Sequence, residues 1–245
     1  MTTLQKKRAV ERRGVAPFGG LSTPERLDDI EARLRKLPNS SVATLRRLRR
    51  EISRELRALL GVQVLTLAET LVDEGRCSRW FAHELVHFHP EAASQLSAAW
   101  LNRLGKGNSA WHHVDPFATY LLGPAWRVGR VTDAEIARWA RSQDHWRRRS
   151  ALVATVALNN TARGGRGDTT RTLAVCDLLR TDREDMVVKA MSWALRELSR
   201  KDPKAVKQYI ARYESELAPR VLREVRNKLG TGLKNPQKKP KTTPR

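Results

Sequence analysis

The chain has 245 residues, 40% of them hydrophobic, and carries 47 Lys and Arg against 26 Asp and Glu, a formal net charge of +21. That is long enough for one large domain with a real core, and no apolar run reaches spanning length, which excludes a helical membrane protein. A field of this sign selects polyanionic partners.

Residues 1–25 are polar, with Gly14, Pro17, Gly19, Gly20 and Pro24, and read as a disordered basic arm. The arm has no apolar signal core, so a cytoplasmic, nucleoid-associated protein is expected. Its Arg, Lys and Thr content leaves an organelle-transit reading open. Residues 26–230 read as one folded domain.

Over that domain the apolar period is 3.6 and not 2. It predicts helices over 25–36, 41–60, 62–74, 78–88, 91–103, 109–121, 132–141, 144–159, 167–180, 184–200, 203–214 and 219–229. Thr132 ahead of Asp133 and Glu135 reads as a helix start. So does Asp202 ahead of Pro203, while Gly123-Pro124 reads as a break. No strand pattern appears, so the fold class is all-α. Residues 231–245 are rich in Lys, Pro and Thr and read as a disordered basic tail. Residues 1–20 carry a net +4 and residues 231–245 a net +5, which leaves +12 for the body. Cys77 and Cys176, far apart in helical sequence, read as reduced thiols.

A repeat is visible at an offset of 40. Trp146-Arg-Arg-Arg149-Ser150-Ala151 aligns with Met186-Val-Val-Lys189-Ala190-Met191, and Leu222-Arg223-Glu224-Val225 is a degenerate third copy. Helix pairs of this period mark HEAT-like repeats, which stack into an α-solenoid superhelix. A concave basic DNA-binding face is expected.

The chemistry concentrates between Trp111 and Arg196. Trp111 and Asp115 are four residues apart and share a helix face, as do Trp193 and Arg196, three apart. Arg149 holds the matching position one repeat earlier, so the five can converge on one groove. Plainer readings stand beside this one. Asp115 precedes Pro116 and suits the N-cap of a helix starting there. Tryptophan at helical spacing is more often core, and Trp80, Trp100, Trp126, Trp139 and Trp146 are read as packing. Arg147, Arg148 and Arg149 cannot all point one way on a helix.

The order Trp111-x-x-x-Asp115, Trp146-x-x-Arg149-x-Ala151, then Lys189-Ala-Met-Ser-Trp193-Ala-Leu-Arg196-Glu197 with Lys201-Asp202-Pro203 resembles the AlkD-type alkylpurine DNA glycosylases of the HEAT-like-repeat fold. The resemblance covers roughly residues 40–230, and its densest stretch is 184–202. It implies excision of N3- and N7-alkylated purines from duplex DNA without a cofactor or metal, by a monomer, with the lesion left stacked. Asp115, Trp111 and Trp193 would be catalytic. Arg149, Arg196, Arg148 and Lys189 would hold DNA. The chemistry is coherent: an alkylated purine is already cationic and leaves without an acid, so the need is a carboxylate for the oxocarbenium-like sugar and its water.

Two further classes stay open. One is a non-catalytic HEAT-like protein that binds DNA structure. The other is a zinc hydrolase, because His83-Glu84-Leu85-Val86-His87 matches HExxH, although the metzincin extension is absent. Arg46, Arg50, Arg54 and Arg57 form a basic ridge on one helix, suited to solvent or to DNA.

Overall fold

The computed structural model describes residues 20–236, and among them it holds helices and no strands. Most of the expected arm and tail therefore lies outside the described residues. α1 (Thr23–Arg35) starts two residues ahead of the expected 25, behind Ser22, whose N–H donates to the Glu25 carboxylate at 2.7 Å.

Local chemistry sets the other boundaries. α2 (Val42–Leu56) is capped by Ser41, whose side chain accepts from the Thr44 N–H. α3 (Gly61–Asp73) and α4 (Arg79–His87) follow. The expected helix 91–103 is two helices, α5 (Pro90–Ser94) and α6 (Ala98–Leu104). Ser97 turns out of helical geometry between them and caps α6 by accepting from the Trp100 N–H. α7 (Trp111–Phe117) runs unbroken into a π-helical turn, Ala118–Leu122, and on into α8 (Gly123–Arg127). The break expected at Gly123-Pro124 is thus absent. Gly123 keeps right-handed helical angles, and Pro124 follows just after the π turn, whose wider bonding pattern lets the helix continue past a residue without an N–H. α9 (Asp133–Ala140) has the Thr132–Glu135 capping box, and α10 (His145–Asn159) starts behind Asp144. α11 (Thr169–Leu179), α12 (Asp185–Leu198), α13 (Pro203–Arg212) and α14 (Pro219–Thr231) complete the chain, with Asp202 capping α13 as expected.

The helices form a two-layer α-solenoid. α2, α4, α7, α10, α12 and α14 pack in series, each against the next. α3 backs α4, α8 and α9 back α10, and α11 sits behind α10 and α12. The offset-40 repeat maps onto this inner row, because α10 and α12 begin at His145 and Asp185. α10 is the centre of the molecule, buried from Arg149 to Asn159. A helix apolar on every side is what such a central position demands, and each fully buried Leu or Val there contributes about 1.5–3 kcal/mol. No helix among the described residues is long and apolar enough to cross a membrane.

Candidate active site

The inner row carries one cleft of about 370 Å³ that draws on five segments. α2 supplies Val42 and Arg46, and α4 supplies Trp80 and Glu84. α7 and its π turn supply Trp111, His112, Asp115, Pro116, Thr119 and Tyr120. Arg163 comes from the loop after α10, and Trp193 from α12. Its size falls in the range of about 300–1,000 Å³ usual for ligand sites.

Asp115 does not cap a helix. It lies in the last turn of α7, which starts four residues earlier at Trp111. Its carboxylate accepts two parallel bonds from Arg149: Nε to Oδ1 at 2.9 Å and Nη2 to Oδ2 at 2.9 Å. Burial pushes the Asp115 carboxyl above the usual aspartate range, and the Arg149 bonds and charge oppose that rise. Pro116 follows within the helix and has no N–H for the carbonyl one turn back. The Thr119 hydroxyl donates to the Asp115 carbonyl at 2.7 Å. The wider π turn lets Tyr120, five residues after Asp115, face the same cleft. Behind them Phe117 stacks on Trp139, with ring centroids 5.7 Å apart, and fixes α7 from within.

Trp111 is 57% exposed, an unusual state for so large an apolar ring, and Trp193 is half-buried across the cleft. The structure therefore brings Trp111, Asp115 and Trp193 together, with Arg149 attached to Asp115. It does not leave Arg149 free for phosphate. Arg149 is only 6% exposed, and its remaining Nη1 donates to the Met186 carbonyl at 2.6 Å. The other expected DNA contacts also have protein partners. Arg148 pairs with Asp182 at 2.7 Å and donates to the Ser142 and Gln143 carbonyls. Lys189 pairs with Asp185 at 2.6 Å on its own helix. Arg196 donates to the Ser192 hydroxyl, which donates in turn to buried Glu224, and burial pushes the Arg196 pKa down. None of these three lines the cleft.

Trp80, Glu84, Tyr120 and Arg163 line the cleft without having been singled out for it. Trp80 packs against the hydrophobic core, as its sequence reading expects, and also walls the cleft; nothing in the sequence marks Tyr120. Arg163 carries one signal, its place in the Ala162-Arg-Gly-Gly-Arg-Gly167 run. Glu84 stood out for another chemistry. Each of its oxygens accepts from an arginine, Arg46 at 3.3 Å and Arg49 at 3.1 Å. His83 is fully buried against Phe117, with its pKa pushed down by burial to about 3. His87 bonds through Nδ1 to the Tyr120 carbonyl at 2.9 Å. The HExxH residues are thus engaged in packing and in the cleft wall. No group of three or more His, Cys, Asp or Glu side chains placed to hold a metal occurs among the described residues.

Fold and cleft together define a class: an all-α solenoid protein with a largely buried carboxylate–arginine pair beside one exposed and two half-buried tryptophans. Within that class the chain belongs to the DNA alkylation repair enzyme family, whose family model matches residues 32–229. No curated protein matches it.

Proposed function

We propose that this DNA alkylation repair enzyme is a monofunctional glycosylase. It hydrolyses the N-glycosidic bond of cationic N3- or N7-alkylated purines in duplex DNA, acts as a monomer, needs no metal, and works in the cytoplasm at the nucleoid. The observation that carries this reading is the Asp115 carboxylate, gripped by Arg149 inside a cleft walled by Trp80, Trp111 and Trp193. A protein that only binds the DNA backbone gains nothing from a carboxylate there, since it repels phosphate.

The chemistry follows from charge. The C1′–N bond breaks with its electron pair returning to the purine, which neutralises the ring cation. Positive charge moves to the sugar, and Asp115 stabilises it there. Water adds its oxygen to C1′ and gives its proton to Asp115 or to solvent. The tryptophan faces hold the cationic base or sugar, each contact worth about 0.5–2 kcal/mol.

The test is release of free base from duplex DNA carrying N7-methylguanine, with and without a chelator. Chelator-resistant release is expected. Asp115→Asn keeps an acceptor for Arg149, so duplex binding is expected to survive while excision falls by about 10²–10³-fold. Full activity in that variant would remove Asp115 from the mechanism. Tight duplex binding with no release from the unaltered protein would instead leave a non-catalytic DNA-structure binder.

A further inference from the structure

None of Arg149, Arg148, Arg196 and Lys189 lines the cleft, so its own phosphate-binding groups are to be found among the residues that do. Two cations line it on the wall formed by α2, α4 and the loop after α10: Arg46 and Arg163. Both are organised around Tyr120. Arg46 donates through Nη2 to the Tyr120 hydroxyl at 3.4 Å, and the Arg163 guanidinium lies over the Tyr120 ring, 4.0 Å from its centroid.

We propose that Arg46, Tyr120 and Arg163 form a preorganised clamp for a backbone phosphodiester of the damaged strand, in the cleft that also holds Asp115. The identity of that strand rests on the glycosylase reading above.

Three observations carry the assignment. First, Arg163 has a buried Nη1 with no hydrogen-bond partner. The guanidinium has no carboxylate partner among the described residues, so the charge it brings to the cleft is uncompensated. Second, both arginines are tethered. Arg46 is anchored at Nε by Glu84, a carboxylate that is itself almost wholly buried. Arg163 ends a 3₁₀ turn whose carbonyl accepts from Arg127 at 2.9 Å. Gly165 then passes so close to α10 that a Cβ there would lie 2.6 Å from the Leu158 carbonyl oxygen. Fixing the forks in advance lowers the entropy lost on binding. Third, the charge is unbalanced. Glu84 is shared between Arg46 and Arg49, so that trio keeps one net positive charge, and Arg163 adds another. The Asp115–Arg149 pair is neutral. The cleft thus presents a carboxylate to a cationic sugar or base and two guanidiniums to an anion, the charge order of an alkylated nucleotide beside its phosphate. The exposed Arg50, Arg54 and Arg57 extend the Arg46 face along α2, which continues a path for the backbone beyond the cleft.

The experiment measures binding of undamaged duplex against KCl concentration, which needs no excision. Arg163→Gln and Arg46→Gln are each expected to reduce the slope of log K against log[salt] by about 0.9, and the pair by about 1.8. Arg163→Lys keeps the charge and is expected to keep the slope. A second arm replaces single phosphates around an N7-methylguanine with neutral methylphosphonate. The unaltered protein is expected to lose affinity at one or two positions, and Arg163→Gln to lose none further at the same position. Unchanged slopes in both Gln variants, or losses that simply add at every position, would overturn the clamp. Arg46 is the more exposed side chain, so a folded Arg46→Gln with an unchanged slope decides against it even if Arg163→Gln does not fold. A protein that releases no base would count against the glycosylase reading and leave the slope measurement intact.

Discussion

At the scale of single residues, Asp115 feels two opposed pulls on its proton. Burial favours the neutral acid, and Arg149 favours the carboxylate. Burial wins, so the folded pKa lies above the usual aspartate value. The ionised form is the one that stabilises a sugar cation. Excision is therefore expected to fall with decreasing pH through a pKa above that of a free aspartate. Arg149→Gln removes the opposing pull and is expected to move this acid limb to higher pH in single-turnover rates. A limb that stays in place would detach Arg149 from the titration. His83 makes a second, independent case. Its folded pKa is about 3, lowered by burial, with Arg79 and His113 adding repulsion. The unfolded value is about 6.5. Neutral His83 therefore contributes stability that is fully present above about pH 6.5 and is lost as pH falls towards 3, several kcal/mol at most. His83→Phe is expected to flatten the decline of Tm between pH 7 and pH 4.5; parallel declines would assign the acid sensitivity to other groups. The legibility of these residues differs for a physical reason. Trp111 and Asp115 stand out because four residues make one helical turn. Arg149 is 34 residues from Asp115, and only the packing of α7 on α10 shows that it pairs with a carboxylate.

At the scale of elements, caps were readable and continuity was not. Thr132 and Asp202 start helices through bonds to N–H groups three residues on, which is chemistry that the sequence states directly. Gly123-Pro124 looked like punctuation because glycine and proline usually interrupt helices. Here the glycine answers a contact instead. A Cβ on Gly123 would lie 2.6 Å from the Ala154 carbonyl oxygen and 2.6 Å from the Ala157 Cβ, both on α10. Glycine is what lets α8 approach the central helix, and the π turn carrying Tyr120 is its immediate neighbour. Gly123→Ala is expected to force the two apart at a cost of about 1–3 kcal/mol. For a chain of this size that lowers Tm by roughly 2–4 °C per kcal/mol. The displaced turn is expected to weaken excision as well. A variant melting at the original temperature would show that α10 yields without strain, and that the close approach is incidental.

At the scale of the whole molecule, the charge is spread beyond what the cleft needs. Residues 1–19 and 237–245 carry a net +4 each, and the rest of the chain keeps +13. That remainder is expected to attract duplex DNA by itself, because long-range steering follows the summed field and not single contacts. On the glycosylase reading proposed above, the charge of the terminal segments is expected to serve capture of undamaged DNA and the Asp115 cleft the chemistry. Removing both segments separates the two contributions. Affinity for undamaged duplex is expected to fall, and the loss to grow as salt is lowered, because each phosphate neutralised adds about 0.9 to the salt slope. The single-turnover rate at saturating protein is expected to stay as it was, since once the duplex is bound the bond-breaking step depends on Asp115 and its neighbours. A rate that dropped with the segments removed would place them at the lesion, and would mean that part of the site lies in the first 19 or last nine residues.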